Sequence, residues 1–533
     1  MKSKITEITK LLLIAVLILC VLVPFINMLG GITREDFDKI ISSPMFVTAI
    51  MHSVRTCLTT TAISVTIGFL LAVSIQRSHV KFKGFLNVFL TIPMLIPSIS
   101  IGTGLIVLFG NKGVIRNLLH LNTSIYGFWG IVIGSVLYSY PVAFLMFSDA
   151  LKYEDASPYE AAQVLGISKL RRVFVITLPY LTKTIIAAVF SVFTMTVTDY
   201  GIPLMIGGKI TTLAVMMYQQ VIGQLDFTKG SIIGLFLLIP AVIAFTFNAI
   251  SKRNAKLSFV TKQFDIRKSK ARDTAAASFC GLISLGIVCL IVSFIVYSFA
   301  ERYPRDITPT FRHILFLFDM GGAGYLWNSL KIALIVATLG AFIVFTTAYL
   351  TSRVPSLSSH VLHLISMTSL AIPGLVLGLA YVLTFRKSFI YGTLSILILV
   401  NLMHFFASPY LMMYNSLGKM NENLENVGYT LGIPRMRIIC DVIVPQSRIT
   451  ILEVFSYFFV NSMMTISAVS FLFSYNTKPI SMMIGQFEAQ MNLECAAVVS
   501  IIILIANAIV KYLINLLKKQ INKRETVAAS AER

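Results

Sequence analysis

The residues that could do chemistry in this chain are hydroxyls, amides and a few acids set inside apolar runs. Residues 194–200 read TMTVTDY, which places Thr194, Thr196, Thr198, Asp199 and Tyr200 just before Gly201-Ile202-Pro203. A second cluster holds Asn461, Ser462, Thr465, Ser467 and Ser470. Hydroxyls at this density hydrogen-bond a small polar solute or its waters, and they also bond the backbone of their own helix; both uses stay open. No cluster of Lys or Arg accompanies them, which predicts a weak, hydrated passage and no tight site for a bare anion. Thr198, Asp199, Tyr200, Thr465 and Ser467 are the candidate path residues. The chain has no HExxH motif, no convergent Ser/His or His/Asp/Glu set and no CxxC, so no catalytic, cofactor or metal residue is assigned and no enzyme is expected. His360 and His363 share a helical face without a third ligand, which suits an interface. Gly207-Gly208-Lys209-Ile210-Thr211 is a decoy for a phosphate-binding loop: Pro203 stands where the first Gly belongs, and Ile210 separates Lys from Thr.

The elements that must position these groups are membrane helices. The 533 residues are 56% hydrophobic and 13% charged, with a mean hydropathy of +0.82. A helix needs about 20 apolar residues to cross the hydrocarbon core. Twelve such runs are expected, near 10–29, 50–75, 85–109, 128–150, 181–205, 230–251, 276–299, 327–350, 359–384, 391–415, 447–473 and 494–517. The formal charge of +21 does not point to nucleic acid. With the N-terminus inside, Lys and Arg concentrate in the cytosolic segments, as the positive-inside rule requires. The densest run, from Lys252 to Arg272, fits an inside linker attracted to anionic lipid. The N-terminus and the tail with Lys518, Lys519, Lys523 and Arg524 are expected to be cytosolic, and the loops at 30–49, 300–326 and 474–493 to face outward. The first run follows Lys2, Lys4 and Lys10 and reads as a retained anchor, not a cleaved leader.

The chain repeats itself. His52-Ser53-Val54 and Asn328-Ser329-Leu330 open equivalent spans, and Ile96-Pro97 with Gly102 matches Ile372-Pro373 with Gly378 at the same offset. Ile125-Tyr126-Gly127 and Ile390-Tyr391-Gly392 align nearly so, at a slightly shorter offset. A period this long means duplicated domains. The expected organisation is a first half at 1–251 (core about 50–250), a basic linker at 252–275, and a second half at 276–533 (core about 327–517). Six spans per half return the chain to its starting side. The fold class is therefore an all-α polytopic membrane protein, with twelve transmembrane helices as two parallel six-helix repeats and the substrate route between them. GxxxG at Gly130–Gly134 and Gly374–Gly378 suits close helix packing.

Each half also carries one matched cytosolic segment. Residues 160–179 read EAAQVLGISKLRRVFVITLP, and 426–445 read NVGYTLGIPRMRIICDVIVP. In the first, Ser157 and Glu160 are spaced as a capping box, with Pro158 at the first helical position. Gly166 supplies the left-handed turn that ends the short helix. Ser168 caps a second short helix, which Pro179 closes before the next span. Ala161 and Ala162 leave one turn without bulk, so a partner could approach closely. In the second copy Asn423 is the expected cap, Gly432 the turn, and Pro445 the match of Pro179. Asn426, Val427 and Gly428 stand where Glu160, Ala161 and Ala162 stood; Glu425 is one residue away and points elsewhere.

Glu160, Ala161, Ala162, Gly166, Ile176, Leu178 and Pro179 match the EAA-x3-G-x9-I-x-L-P coupling motif throughout, and Gly432 and Pro445 match it in the second half. On these residues the chain resembles the permease subunits of bacterial type I ABC importers, in the fused two-permease form. The resemblance implies that each motif docks in a groove of a separate ATPase subunit, which alone hydrolyses ATP. It also implies an extracytoplasmic solute-binding protein and a place in the cytoplasmic (inner) membrane. Fused permeases of this kind resemble transporters of ferric iron, thiamine and phosphonates. The stretch MMTISAVSFLFS at 463–474 lacks the Lys-Glu-Leu-Pro of the iron type and is closer to the phosphonate type, such as 2-aminoethylphosphonate. The competing reading is an ion-coupled secondary transporter of a small polar solute. It needs acids or bases near the midplane, and the chain offers only Asp149 at a span end, Asp199 in the outer half and Glu453 early in its span.

Overall fold

The computed structural model describes residues 4–120, 124–252, 268–303, 305–421 and 423–531. The part of the expected basic linker at 253–267 lies outside the described residues.

Apolar runs in lipid fold as helices because a helix satisfies its own backbone donors and acceptors. In chain order the principal helices are α1 (Lys4–Gly30), α2 (Pro44–Gln76), α3 (Ser98–Phe109), α4 (Phe128–Lys152), α5 (Leu178–Val197) and α6 (Phe227–Lys252). The second half supplies α7 (Lys270–Phe299), α8 (Gly322–Ser352), α9 (Gly374–Phe385), α10 in two pieces (Leu394–His404 and Ala407–Gly418), α11 (Val444–Met464) and α12 (Leu493–Ala531). Among the described residues the one sheet is a two-stranded hairpin, Ala300–Arg302 with Asp306–Pro309.

Among the described residues eight helices are long and apolar enough to cross a membrane, and ten if two bent pairs each count as one crossing. The expectation of twelve unbroken spans is corrected at three places. Residues 85–109 are not one span: a short helix Lys83–Phe89 and a tight turn precede α3, and Pro97 stands at the N-cap of α3. The matching run in the second half bends by 107° between Leu357–Ala371 and α9, with Pro373 at the N-cap. Hydropathy does not see such breaks, but the missing N–H and fixed φ of proline make them. α11 carries Arg448 and Glu453 within its length, so it falls short of the apolar character a span needs.

The repeat is visible in matched contacts. Ser53 Oγ in α2 accepts the Leu213 N–H at 2.8 Å, and Ser329 Oγ in α8 accepts the Ile480 N–H at 2.8 Å. α2, α4 and α5 pack as one group, and α8, α10 and α11 as its counterpart. The first helix of each half is exchanged. α1 lies on the second half, where buried Lys10 donates to the Val354 carbonyl at 3.0 Å and Ser356 Oγ at 2.8 Å. The Cys20 carbonyl in α1 accepts the Tyr381 hydroxyl at 2.7 Å. α7 lies on the first half, and a Cβ added at Gly104 in α3 would meet Leu290 Cδ1 at 2.3 Å. The glycine is what lets the two helices approach. α12 runs antiparallel to α3, through Ser500–Ser100 at 2.8 Å and Asn507 to the Leu95 carbonyl at 3.0 Å. Further along, Lys518 pairs with Glu453 at 2.7 Å. The loop after α2 and the entry to α11 therefore lie at one end of the bundle.

Candidate functional site

At that end each half carries a short helix joined by a sharp turn to the helix that follows. The first is Ser157–Val164 and the second Leu424–Thr430. Their ends are built alike. Gly166 and Gly432 both take φ +70°, the left-handed region where an L side chain is strained. The Ile167 N–H reaches back to the Ala162 carbonyl at 2.9 Å and the Gly166 N–H to Gln163 at 3.1 Å. In the second copy Ile433 bonds Gly428 at 2.8 Å and Gly432 bonds Tyr429 at 3.1 Å. Both are Schellman ends, which use up the last carbonyls of the short helix.

The starts differ from the expectation. No capping box forms at Ser157. Asp155 Oδ1 accepts both the backbone N–H and the hydroxyl of Ser157, at 3.0 and 2.9 Å, and Pro158 falls in the second helical position. Asn423 makes no side-chain cap; instead Asn421 Oδ1 accepts the Asn423 N–H at 3.0 Å. The cap sits two residues upstream in both copies. An Asx side chain bonds the backbone two residues on more readily than a serine can complete a box here. Pro179 and Pro445 do not close the second short helix either. It continues into α5 and α11 through one wide π-turn, Val173–Thr177 or Ile439–Ile443. The wide turn makes room for a proline ring that would strike the carbonyl of an ordinary turn.

Ala162 is buried, not presented outward, and so is Gly428 at the matching position. A Cβ on Gly428 would meet Ile438 Cδ1 at 2.2 Å. Glu160, Ala161, Asn426 and Val427 are exposed. The outward surface has apolar residues that sequence spacing did not single out: Val164 (88% exposed) and Leu165 (75%) in one copy, Tyr429 and Leu431 (69%) in the other. These apolar side chains lie outside the apolar spans, beside charged groups.

Each element is anchored by an arginine that sequence reasoning missed. Arg77, at the end of α2, pairs with buried Glu154. Tyr159 donates to Glu154, and its oxygen lies 2.7 Å from Thr177 Oγ1. Burial and the Glu154 carboxylate push the Tyr159 phenol's pKa up, so it stays a donor. Burial draws the Arg77 pKa down, and Glu154 opposes that. In the second half Arg353, at the matching end of α8, bonds Glu425 Oε1 at 2.9 Å and the Met420 and Asn421 carbonyls at 3.0 and 2.6 Å. Glu425, one residue off the motif, is thus the anchor's partner. The available signal was an Arg at the same place in each half, with acids where each docking element begins (Glu154 and Asp155; Glu422 and Glu425).

Between the halves lies a cavity of about 720 Å³. All five candidate path residues line it: Thr198, Asp199 and Tyr200 from the first half, Thr465 and Ser467 from the second. Asn461, His404 and Tyr138 share the wall. Thr194, Thr196, Ser462 and Ser470 do not. Thr198 Oγ1 donates to the Thr194 carbonyl at 2.9 Å, the backbone use left open by the sequence. Asp199 caps the short helix Gly201–Ile206 through the Gly201 and Ile202 N–H groups, at 3.3 and 3.2 Å. Tyr200 and Ser470 meet across the halves at 2.8 Å. The expectation of a wall without cations is corrected: Lys511 and Lys518 of α12 line it, with Glu453 paired to Lys518. They lie far along the chain from the hydroxyl clusters, so local sequence could not reveal them. His363 sits within 2.6 Å of the Tyr410 hydroxyl, between helices.

A family model described as binding-protein-dependent transport system inner membrane component matches residues 64–257 and 349–523. The putative ferric transport system permease protein FbpB 1 of Haemophilus influenzae is 26% identical over 411 residues, covering 74% of this chain and 65% of the relative. The ferric transport system permease protein FbpB of Actinobacillus pleuropneumoniae is 26% identical over 412 residues, covering 74% and 60%. The putative 2-aminoethylphosphonate transport system permease protein PhnU of Salmonella choleraesuis is 24% identical over 232 residues, covering 41% and 79%. The chain spans less than two thirds of the length of the two ferric relatives.

Proposed function

We propose, for a chain that belongs to the binding-protein-dependent transport system inner membrane component family, that it is the fused permease of an ABC importer and holds the translocation path between its two halves. The carrying observation is the pair of like-built docking elements, each with a Schellman end at Gly166 or Gly432, an arginine anchor and an exposed apolar face. Each docks on one subunit of a separate ATPase dimer through Leu165 or Leu431 and their neighbours. Glu160, Ala161, Gly166 and Pro179, with Asn426, Val427, Gly432 and Pro445, shape that contact, while Ala162 and Gly428 set its internal packing. The docking end and both termini face the cytosol, and the chain sits in the inner membrane.

A separate extracytoplasmic binding protein supplies affinity, and the central cavity offers a weak, polar passage past Thr198, Asp199, Tyr200, Thr465 and Ser467. The cargo is ferric iron or a phosphonate such as 2-aminoethylphosphonate; the relatives' names support both classes. The organisation into halves at 1–251 and 276–533 with a linker at 252–275 belongs to the same reading.

The test is reconstitution of the chain with its ATPase and binding protein in proteoliposomes. Vanadate-sensitive uptake of one of these cargoes is expected, and only with the binding protein present. Uptake driven by a proton or sodium gradient without ATP would overturn the reading. So would labelling of a cysteine at position 265 by an impermeant reagent from outside, since that segment belongs inside.

A further inference from the structure

We propose that the cleft between the end of α2 and the start of α7 binds one anionic phospholipid, headgroup at the mouth and one acyl chain along α7. The cleft has a volume of about 860 Å³. Its mouth carries His79, Lys81, Lys268 and Lys270, all exposed. One acid stands there, Asp273, and it is committed. Its Oδ1 accepts the His79 N–H at 3.0 Å and the Arg272 guanidinium at 2.8 Å. The mouth is therefore left net positive, the charge that anionic headgroups seek.

The interior is apolar apart from Ser284. Phe85 and Phe89 form one wall, and Cys280, Gly281 and Val288 of α7 the other. The hydroxyl residues Thr274 and Ser278 lie between lysines and apolar wall, where the ester and glycerol groups of a lipid would come. At 1.5 Å rise per residue, the apolar stretch from Ala277 to Val288 is roughly 16 Å long, about half of a roughly 30 Å hydrocarbon core and so one leaflet. A Cβ added at Gly281 would meet nothing within 4 Å, so the wall is open at the depth where a chain would lie. A free phosphate would satisfy the lysines and leave this apolar length uncovered.

The two halves differ here. At the matching place in the second half the exchanged helix α1 packs against Leu357–Thr368, and its buried Lys10 bonds Val354 and Ser356. The proposal is thus one lipid per chain, beside the loop that begins at Arg77 and anchors the first docking element.

Native mass spectrometry of the full chain, reconstituted with phosphatidylglycerol or phosphatidylcholine and then released from the membrane mimetic, tests this. One phosphatidylglycerol per chain should be retained, and no phosphatidylcholine. Lys81→Ala, Lys268→Ala and Lys270→Ala should each cut retention roughly fivefold. Gly281→Leu should cut it with every lysine intact, because the new side chain fills the cleft. Equal retention of the two lipids overturns the proposal. Retention that survives Gly281→Leu while falling in the lysine variants would leave only a charged surface, and also overturns it. Competition by soluble glycerophosphate as effective as added phosphatidylglycerol would assign a free-anion site in its place.

Discussion

The two docking elements share a backbone and differ in almost every side chain that holds it. Both end in a Schellman turn at a glycine with φ +70°, both start under an Asx side chain two residues upstream, and both hang from an arginine at the end of the preceding span. The partner acid, however, sits before the short helix in the first half (Glu154) and inside its first turn in the second (Glu425). The position of Glu425 is occupied by Tyr159 in the first half, and that of Glu154 by Met420 in the second. Inside the element, Ala162 with Arg172 in one copy corresponds to Gly428 with Ile438 in the other. The Arg172 Nε–H turns away to bond the Ile167 carbonyl at 2.7 Å, whereas Ile438 packs inward onto Gly428. The arginine and the glycine turn hold their places because each meets a backbone or a charge that has no substitute there. The remaining contacts could drift in compensated pairs.

The largest expected effect comes from breaking an anchor. Glu154 is 3% exposed and Glu425 12%, so Arg77→Ala leaves a buried acid with less compensation, at about 3–5 kcal/mol, and Arg353→Ala, which leaves a more exposed acid, costs less. Both variants should unfold earlier in a thermal scan in detergent and lose ATPase stimulation. A sharper test moves the acid. Glu154→Met should destabilise, and adding Tyr159→Glu, which copies the second half, should recover most of that loss. A double variant no more stable than Glu154→Met alone would mean that the two anchors are not interchangeable.

Next is the internal pair. Gly428→Ala puts a methyl 2.2 Å from Ile438 Cδ1. Because that atom is the end of a flexible side chain, the cost belongs at the low end of about 1–3 kcal/mol for overpacking. Ile438→Val alongside it should restore stability, and Ala162→Gly in the first half should show no such clash. Thermal unfolding of the three variants separates these outcomes.

Gly166→Val and Gly432→Val come third, at about 1–2 kcal/mol of local strain each. The chain should still insert, since no span is altered, but uptake should fall relative to ATP hydrolysis. Normal uptake with normal ATPase stimulation in both variants would remove the docking role from these turns.

What the sequence showed and what it hid divide along range. The glycine turns were legible because φ > 0 is a local demand. The prolines were legible as markers but not in effect: Pro97 and Pro373 break their spans, while Pro179 and Pro445 ride through a π-turn. The anchors were not legible, because Arg77 meets Glu154 only after α3 and α4 have returned the chain to the same end. Five of the cluster residues, Thr198, Asp199, Tyr200, Thr465 and Ser467, line the cavity. Their neighbour Thr196 does not, because two residues are about 200° of helix rotation from Thr198. Lys518 read as cytosolic tail charge and Lys511 was not singled out, and only packing brings them to the wall.

The smallest effect tests the starts of the short helices. Asp155 accepts two hydrogen bonds from Ser157 and carries a charge at the positive end of a helix. Asn421 accepts one and carries none. Losing a capping side chain costs typically about 1 kcal/mol, so Asp155→Ala should reach that figure and Asn421→Ala fall below it. Ser157→Ala removes a hydroxyl that donates to Asp155 and caps nothing, so it should cost less than Asp155→Ala. Raised salt should narrow the gap between Asp155→Ala and Asn421→Ala, because the charge part is screened and the hydrogen bonds are not. Thermal unfolding at two ionic strengths measures this. If Ser157→Ala proves as costly as Asp155→Ala, the serine is the true cap and the first element starts as a capping box after all. The two halves would then differ in their beginnings as well as in their anchors.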